Sequence, residues 1–251
     1  MAKTILITGA TAGFGQAMAR RFAAEGWNLV ITGRRAQRLE ELKAALSPAK
    51  VHTVNFDVRD REACAKAIED LPAEFAAIDV LVNNAGLALG LEPAQACDLD
   101  DWETMIDTNI KGLTFMTRAV LPGMVERNAG HVVNLGSVAG NYPYPGGNCY
   151  GGTKAFVNHF SKNLRADLLG TGVRVTNIEP GLCETEFSVV RFKGDKAAAD
   201  KVYEGTRPIT ADDIAECVFW TTNLPAHVNI NSLEVMPVQQ AFAPFAIARD
   251  K

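Results

Sequence analysis

The sequence predicts an α/β protein built on one doubly wound parallel sheet with helices on both faces. Three observations lead there. Short β-branched apolar runs alternate with longer stretches of helical spacing along the chain. That spacing suits right-handed strand–helix–strand crossovers, which force neighbouring strands parallel. The 251 residues contain no Gly/Ser linker, low-complexity block or fixed-period repeat, so residues 1–251 read as one domain.

The elements follow in order. KTILIT (3–8) is a strand that ends in glycine. In GFGQAMARRFAAEG (13–26), Phe14, Met18 and Phe22 recur every four residues and Gly26 stops the helix. NLVIT (28–32) is the second strand. AQRLEELKAAL (36–46) is a helix closed by Ser47-Pro48. VHTVNFDV (51–58) alternates as a third strand, and REACAKAIEDL (61–71) is a helix ended by Pro72. IDVLVNNAG (78–86) is the fourth strand. Asp98 begins a helical region reaching about Arg127, within which Pro122 is expected to end or kink one part. GHVVNLGS (130–137) is the fifth strand, followed by a helix that carries Tyr150 and Lys154 to about Leu169. GVRVTNIEPG (172–181) is the sixth strand. Residues 182–210 are irregular and charged, too long for an idle connection, and are expected to form a lid. TADDIAECVFWTTNL (210–224) is a threonine-capped helix, and INSLEVMP (230–237) is the last strand.

Composition narrows the partners. The chain is 47% hydrophobic and 22% charged with net charge −4, which argues against an electrostatic grip on nucleic acid or anionic lipid. No apolar run approaches the roughly 18 residues of a membrane span, and MAKTILITG is too short for a signal peptide. Five scattered cysteines, odd in number and without C-x-x-C, fit a reduced cytoplasmic protein. Cys149 reads as a small apolar filler. The four histidines lack metal-ligand spacing, so no metal is expected.

Chemistry-bearing residues cluster at strand ends. TGATAGFG (8–15) joins the first strand to the first helix. Gly9 permits a tight turn. Gly13 and Gly15 let the backbone approach a pyrophosphate at the helix N-terminus, where free N–H groups favour anions. The spacing is G-x-x-x-G-x-G rather than G-x-G-x-x-G. After the second strand comes Gly33-Arg34-Arg35, where an NAD-binding protein is expected to carry Asp or Glu. Two arginines there suit a 2′-phosphate and point to NADP(H), although a solvated basic pair has the same look. Tyr150 and Lys154 stand four apart on one helix face, as an ordinary surface pair also can.

Assembled, these residues resemble the short-chain dehydrogenase/reductase family, which has a Rossmann-type fold. TGATAGFG (8–15), NNAG (83–86), Asn109, Ser137, YGGTK (150–154), and Pro180-Gly181 with Thr185 occur in the family's order. The resemblance implies that Tyr150 donates the proton to a carbonyl accepting hydride, with its phenolate favoured by the neighbouring ammonium. The positive nicotinamide is expected to favour the phenolate as well, and the resemblance further implies that Lys154 holds the nicotinamide ribose, Ser137 hydrogen-bonds the substrate oxygen, and Asn109 holds a water relaying protons to Lys154. Asp57 and Val58 would flank the adenine. Thr11, Phe14, Asn84, Ala85, Gly86, Pro180, Gly181 and Thr185 would complete the cofactor site.

NNAGLALG (83–90), DWETMIDTNIKGL (101–113), YPYPGGNCYGGTKAFV (142–157), TEFSVVRFKGD (185–195) and LPAHVNINSLEVMP (224–237) are similar to the NADP-dependent 3-hydroxy acid dehydrogenase branch. That branch includes serine/allo-threonine dehydrogenases and malonic semialdehyde reductases, with sulfoacetaldehyde reductase a close relative. It implies a small anionic aldehyde or hydroxy acid as substrate, and hence a cation near Tyr150. Arg191 is the candidate and Lys193 the lesser one. The tail after Pro237, with Phe242, Phe245 and Ile247, is expected to seek a partner surface, and the family implies a homotetramer. A cofactor-sensing protein without turnover is the remote alternative, opposed by the intact tyrosine, lysine and serine.

Overall fold

The computed structural model describes residues 2–242. Seven strands, β1 (Thr4–Ile7), β2 (Asn28–Gly33), β3 (Val51–Asn55), β4 (Val80–Asn83), β5 (Gly130–Leu135), β6 (Val173–Pro180) and β7 (Ser232–Val235), form one sheet in the order β3-β2-β1-β4-β5-β6-β7. Every pairing is parallel. Sheet growth reverses between β1 and β4, which opens a crevice beyond the strands' carboxyl ends.

Alternation along β1 explains the two layers. Ile5 and Ile7 pack with Met18 and Phe22 of α1 (Gly13–Ala24), Leu39 and Leu42 of α2 (Ala36–Ala45), and Ile214 and Val218 of α9 (Ala211–Thr222). Leu6 points the other way, into a cluster with Cys64 of α3 (Arg61–Glu69), Met116 and Val120 of α5 (Leu113–Glu126), and Leu164 of α6 (Asn148–Asp167). Burial on both faces is why TILI reads as unbroken apolar chain. Among the described residues no helix is long and apolar enough to cross a membrane.

Polar side chains fix the second layer. Asn83 on β4 donates to Asn134 Oδ1 on the neighbouring β5 at 2.8 Å and to Thr117 Oγ1 on α5 at 2.9 Å. Asn134 in turn donates to Ser161 Oγ on α6 at 2.9 Å. These buried donor bonds favour one strand register and one helix position, although Asn83 Oδ1 itself has no partner.

The structure corrects two expectations. Pro122 does not end α5; it lies inside the helix on the exposed side, where the carbonyl deprived of its partner can be hydrated. The interruption falls earlier, where α4 (Leu99–Ile106) passes through a π-helical segment at Asp107–Gly112 before α5. Residues 182–210 are not wholly irregular: they contain the short helices α7 (Glu186–Arg191) and α8 (Lys196–Lys201), capped by Thr185 and Asp195. The tail lies partly outside the described residues, including Phe245 and Ile247; within them, Phe242 sets its ring 5.4 Å from that of Tyr142.

His131 is 1% exposed, with Nε2 2.7 Å from Thr176 Oγ1 and Nδ1 unpartnered. Burial, then the nearby Arg174 charge, pushes its pKa down to about 3. The unfolded chain takes up this proton near pH 6.5, so it binds more protons than the fold does between there and about 3. Stability should therefore fall as pH drops through that window, by at most about 1.4 kcal/mol per unit from this group. Denaturant melts at pH 7 and pH 5 should show a larger loss for the native chain than for His131→Val; equal losses would exclude the effect.

Candidate active site

A cleft of about 360 Å³ lies over the carboxyl rim of the sheet. The β1–α1 turn forms its floor. Gly9 (φ 66°) and Gly13 (φ 50°) adopt the left-handed region that favours glycine. Thr8 and Asn84 lock this turn to the end of β4. The Thr8 hydroxyl accepts from the Asn84 and Ala85 N–H groups, both at 3.0 Å, while the Asn84 amide donates to Thr8 O and Gly9 O. Helix α1 starts without a side-chain cap or an acidic residue in its first turn, leaving its N–H groups for an anion. Gly15 does not line the cleft. A Cβ there would meet Gly9 O at 2.4 Å, so this glycine serves helix-to-turn packing.

The β2–α2 corner is basic. Arg35 donates through Nε and Nη2 to Thr11 Oγ1, at 3.2 and 2.7 Å. Its Nη1 lies 3.6 Å from Glu186, which also pairs with Arg38 at 3.2 Å. Arg34 lies 3.8 Å from Asp57, and Arg59 pairs with that carboxylate at 2.7 Å. Burial raises the Asp57 pKa, but its Arg59 hydrogen bonds outweigh this and hold the carboxyl below its ordinary value. Four guanidiniums thus face two carboxylates, leaving two positive charges, the complement of a phosphate dianion. Arg38, Arg59 and Glu186 were not singled out from the sequence. Arg38 lies in the first turn of α2, three residues after Arg35, a spacing that was available to find it.

The opposite end of the cleft holds the titratable pair. Tyr150 and Lys154, 9% and 7% exposed, project from α6. Lys154 Nζ donates to Leu135 O at 2.7 Å and lies 5.8 Å from the Tyr150 ring centroid. Ser137, the cap of a short 3₁₀ turn after β5, accepts at Oγ from Ala139 N at 3.1 Å. Burial pushes Tyr150 up to about 12, opposed by the Arg191 charge and a hydrogen bond with Ser137. Burial likewise brings Lys154 down to about 8. The expected acidification of the phenol by the lysine is therefore not what this arrangement shows. Desolvation prevails, and the leading cation opposing it is Arg191.

Asn109 sits in the π-helical segment, outside the cleft wall. Its side chain bonds the Leu87 backbone and the Thr153 hydroxyl: Oδ1 accepts from Leu87 N at 2.9 Å, and Nδ2 donates to Leu87 O at 2.8 Å and Thr153 Oγ1 at 3.0 Å. It staples the 84–87 loop to α6 close to Lys154. A Cβ on Gly86 would lie 3.2 Å from Asn109 Oδ1 and 3.6 Å from Lys154 Nζ, so glycine keeps that space open.

The remaining predicted residues, Thr11, Phe14, Val58, Asn84, Ala85, Pro180, Gly181 and Thr185, all line the cleft. Thr185 caps α7, whose Glu186 and Phe187 complete the wall. Arg191, at the end of α7, donates from Nη2 to Tyr144 OH at 2.8 Å. Its guanidinium carbon lies 5.0 Å from the Tyr150 ring centroid, and its buried Nε has no hydrogen-bond partner. Lys193 is no rival, since it pairs with Asp101 at 2.8 Å and is 57% exposed.

Comparisons with known proteins identify the family. The family model for short chain dehydrogenase matches residues 3–196. The chain is 61% identical over 246 residues to the NADP-dependent 3-hydroxy acid dehydrogenase YdfG of Salmonella typhi, covering 98% of this chain and 99% of that one. It is 58% identical to sulfoacetaldehyde reductase 2 of Chromohalobacter salexigens and 59% identical to serine 3-dehydrogenase of Rhizobium radiobacter, covering 100% of both chains in each case. A solved serine dehydrogenase, in closed form and complexed with NADP+, superposes with a TM-score of 0.95 at 58% identity, covering 98% of this chain and 100% of the other.

The Gly15 contact carries a test. Gly15→Ala must force the turn apart and should cost about 1–3 kcal/mol, as overpacked sites do. A thermal melt unchanged from the native protein would show that the turn yields freely.

Proposed function

The chain belongs to the short-chain dehydrogenase family, and on that premise we propose that it is an NADP(H)-dependent oxidoreductase that interconverts a small anionic aldehyde or ketone and its hydroxy acid. The observation that carries the substrate class is the Arg191 guanidinium beside Tyr150 with an unpartnered N–H. A planar fork of donors suits a carboxylate, and a sulfonate also offers it oxygens.

The residues fit the dinucleotide. The uncapped start of α1 suits its pyrophosphate, and the surplus of positive charge at Arg34, Arg35 and Arg38 suits a 2′-phosphate. Thr11, Gly13, Phe14, Asp57, Val58, Asn84, Ala85, Gly86, Pro180, Gly181 and Thr185 line the space between these ends and the reacting pair. When bound, reduced nicotinamide supplies the hydride that the carbonyl carbon accepts.

The chain's own residues then manage charge and protons. Ser137 Oγ and the Tyr150 hydroxyl hold the substrate oxygen, and Tyr150 gives it the proton as negative charge develops there. Lys154 stands behind the phenol, where it can hold the ribose and stabilise the phenolate left by the transfer. Asn109 positions the loop and helix on either side of Lys154. Arg191 anchors the anionic end, so that a short substrate presents its carbonyl to Tyr150 in one orientation. Exposed Leu99 at the start of α4, and Phe156 stacked 5.6 Å from Phe160 on α6, are apolar surface consistent with a homotetramer.

Three relatives point to three substrates, and one assay separates them. NADPH oxidation should be followed with malonic semialdehyde, sulfoacetaldehyde and succinic semialdehyde, and NADP+ reduction with L-serine, L-allo-threonine and 3-hydroxypropionate. The carboxylate substrates are expected to lead, and a dominant rate with sulfoacetaldehyde would move the assignment to the sulfonate. Tyr150→Phe should abolish turnover while NADPH still binds. Arg191→Ala should raise KM for the anion at least tenfold and leave a neutral short aldehyde nearly unaffected, since a charge-assisted pair is worth about 1.5–3 kcal/mol. Equal effects on both aldehydes would remove the clamp.

The titrations predict a pH profile. Tyr150 stays protonated far above neutrality, whereas the Lys154 charge is lost as pH rises through about 8. Reduction should therefore hold steady below about 7 and fall above about 8. Lys154→Arg should shift that limb upward in whatever activity it retains; an unmoved limb would assign it to another group.

A further inference from the structure

Glu186 has no role in the chemistry above, yet it lines the cofactor cleft. It stands at the first position of α7, 148 residues from Arg38, and sets both carboxylate oxygens 3.2 Å from Arg38 Nη1. Arg35 approaches the same carboxylate at 3.6 Å while its other guanidinium nitrogens hold Thr11 Oγ1. The other charged groups of this corner, Arg34, Asp57 and Arg59, form a separate cluster. Glu186 is 54% exposed and its partners 44–46%, so the pairing adds little to fold stability. Its effect falls instead on whatever anion shares those arginines.

We propose that Glu186 is an internal counter-ion of the 2′-phosphate site, and that NADP(H) must displace this carboxylate from Arg35 and Arg38 to bind. The proposal rests on the NADP(H) reading and deepens it by naming two residues, Glu186 and Arg38, that set the preference between the phosphorylated and unphosphorylated dinucleotides. A carboxylate beside a phosphate dianion repels it, while the unphosphorylated ribose meets no such opposition. Glu186 therefore lowers affinity for the 2′-phosphate selectively. Displacement also releases the tie between α2 and α7, the helix that ends in Arg191.

The test is equilibrium binding by calorimetry, without turnover. NADP+, NAD+ and adenosine 2′,5′-bisphosphate are titrated into the native protein, Glu186→Gln and Arg38→Ala. Glu186→Gln should bind both 2′-phosphate ligands about threefold to fivefold more tightly, with NAD+ unchanged, the size expected for a half-exposed charge contact. The gain should shrink at 1 M salt, where such contacts are screened. Arg38→Ala should lose affinity for the two 2′-phosphate ligands alone. Equal tightening of NADP+ and NAD+ by Glu186→Gln would overturn the proposal, as would unchanged or weaker NADP+ binding, which would mean that Glu186 merely orients the arginines. If the native protein binds NADP+ no better than NAD+, the cofactor reading itself fails and this proposal falls with it. Absence of turnover on every aldehyde, with the binding pattern intact, would fault the substrate assignment and leave this one standing.

Discussion

A lysine ammonium withdrawn from water needs a replacement for its hydration, and Lys154 finds one in the carbonyl of Leu135, the last residue of β5. This single contact ties the reactive helix α6 to the rim of the sheet. It fixes how far Tyr150, one turn earlier, stands from Ser137 and from the floor of the cleft. The burial that makes the contact necessary also brings Lys154 toward a pKa of about 8 and raises the phenol to about 12. Burial brings only the lysine toward neutral pH and takes the phenol further from it. The site's protonation behaviour is thus a by-product of where the parallel strands stop.

Much of the rest supports that placement. The thread from Asn83 through Asn134 to Ser161 sets α6 against the sheet from behind. Asn109 sets it from the side through Thr153 and Leu87. Arg191 and Phe187 close over Tyr150 from α7. The catalytic end is therefore held by contacts from four elements far apart in sequence, while the adenosine end is held mainly by exposed ion pairs. The first arrangement suits a geometry that must stay fixed, and the second suits one that must exchange partners with an anion.

The sequence made the strands, the crossover helices and the reacting residues legible because each follows a local rule. Burial on both faces writes itself as unbroken apolar runs such as TILI, and the glycine loop must follow the first of them. What stayed hidden depends on contacts across long separations. No local pattern says that Glu186 meets Arg38, that Lys193 turns away to Asp101, or that Gly15 packs on Gly9 rather than facing the cleft. The Tyr150 titration is hidden for the same reason: spacing shows the lysine one turn away but not the extent of burial, nor the arginine brought over from α7. Pro122 misled in the opposite sense, since a local rule for breaking a helix gave way where the ring lies on the exposed side.

The π-helical stretch at Asp107–Gly112 has one more consequence. A π turn holds about one residue more than an α turn of the same height. Excising a single residue there would let the backbone close into ordinary α geometry, and α4 and α5 would keep their registers against their neighbours. The same excision placed inside α5 would rotate everything beyond it by roughly 100° and turn Met116 or Val120 out of the core. The bulge is thus a spare length of chain: the fold could survive its shortening, but Asn109 would lose its reach to Leu87.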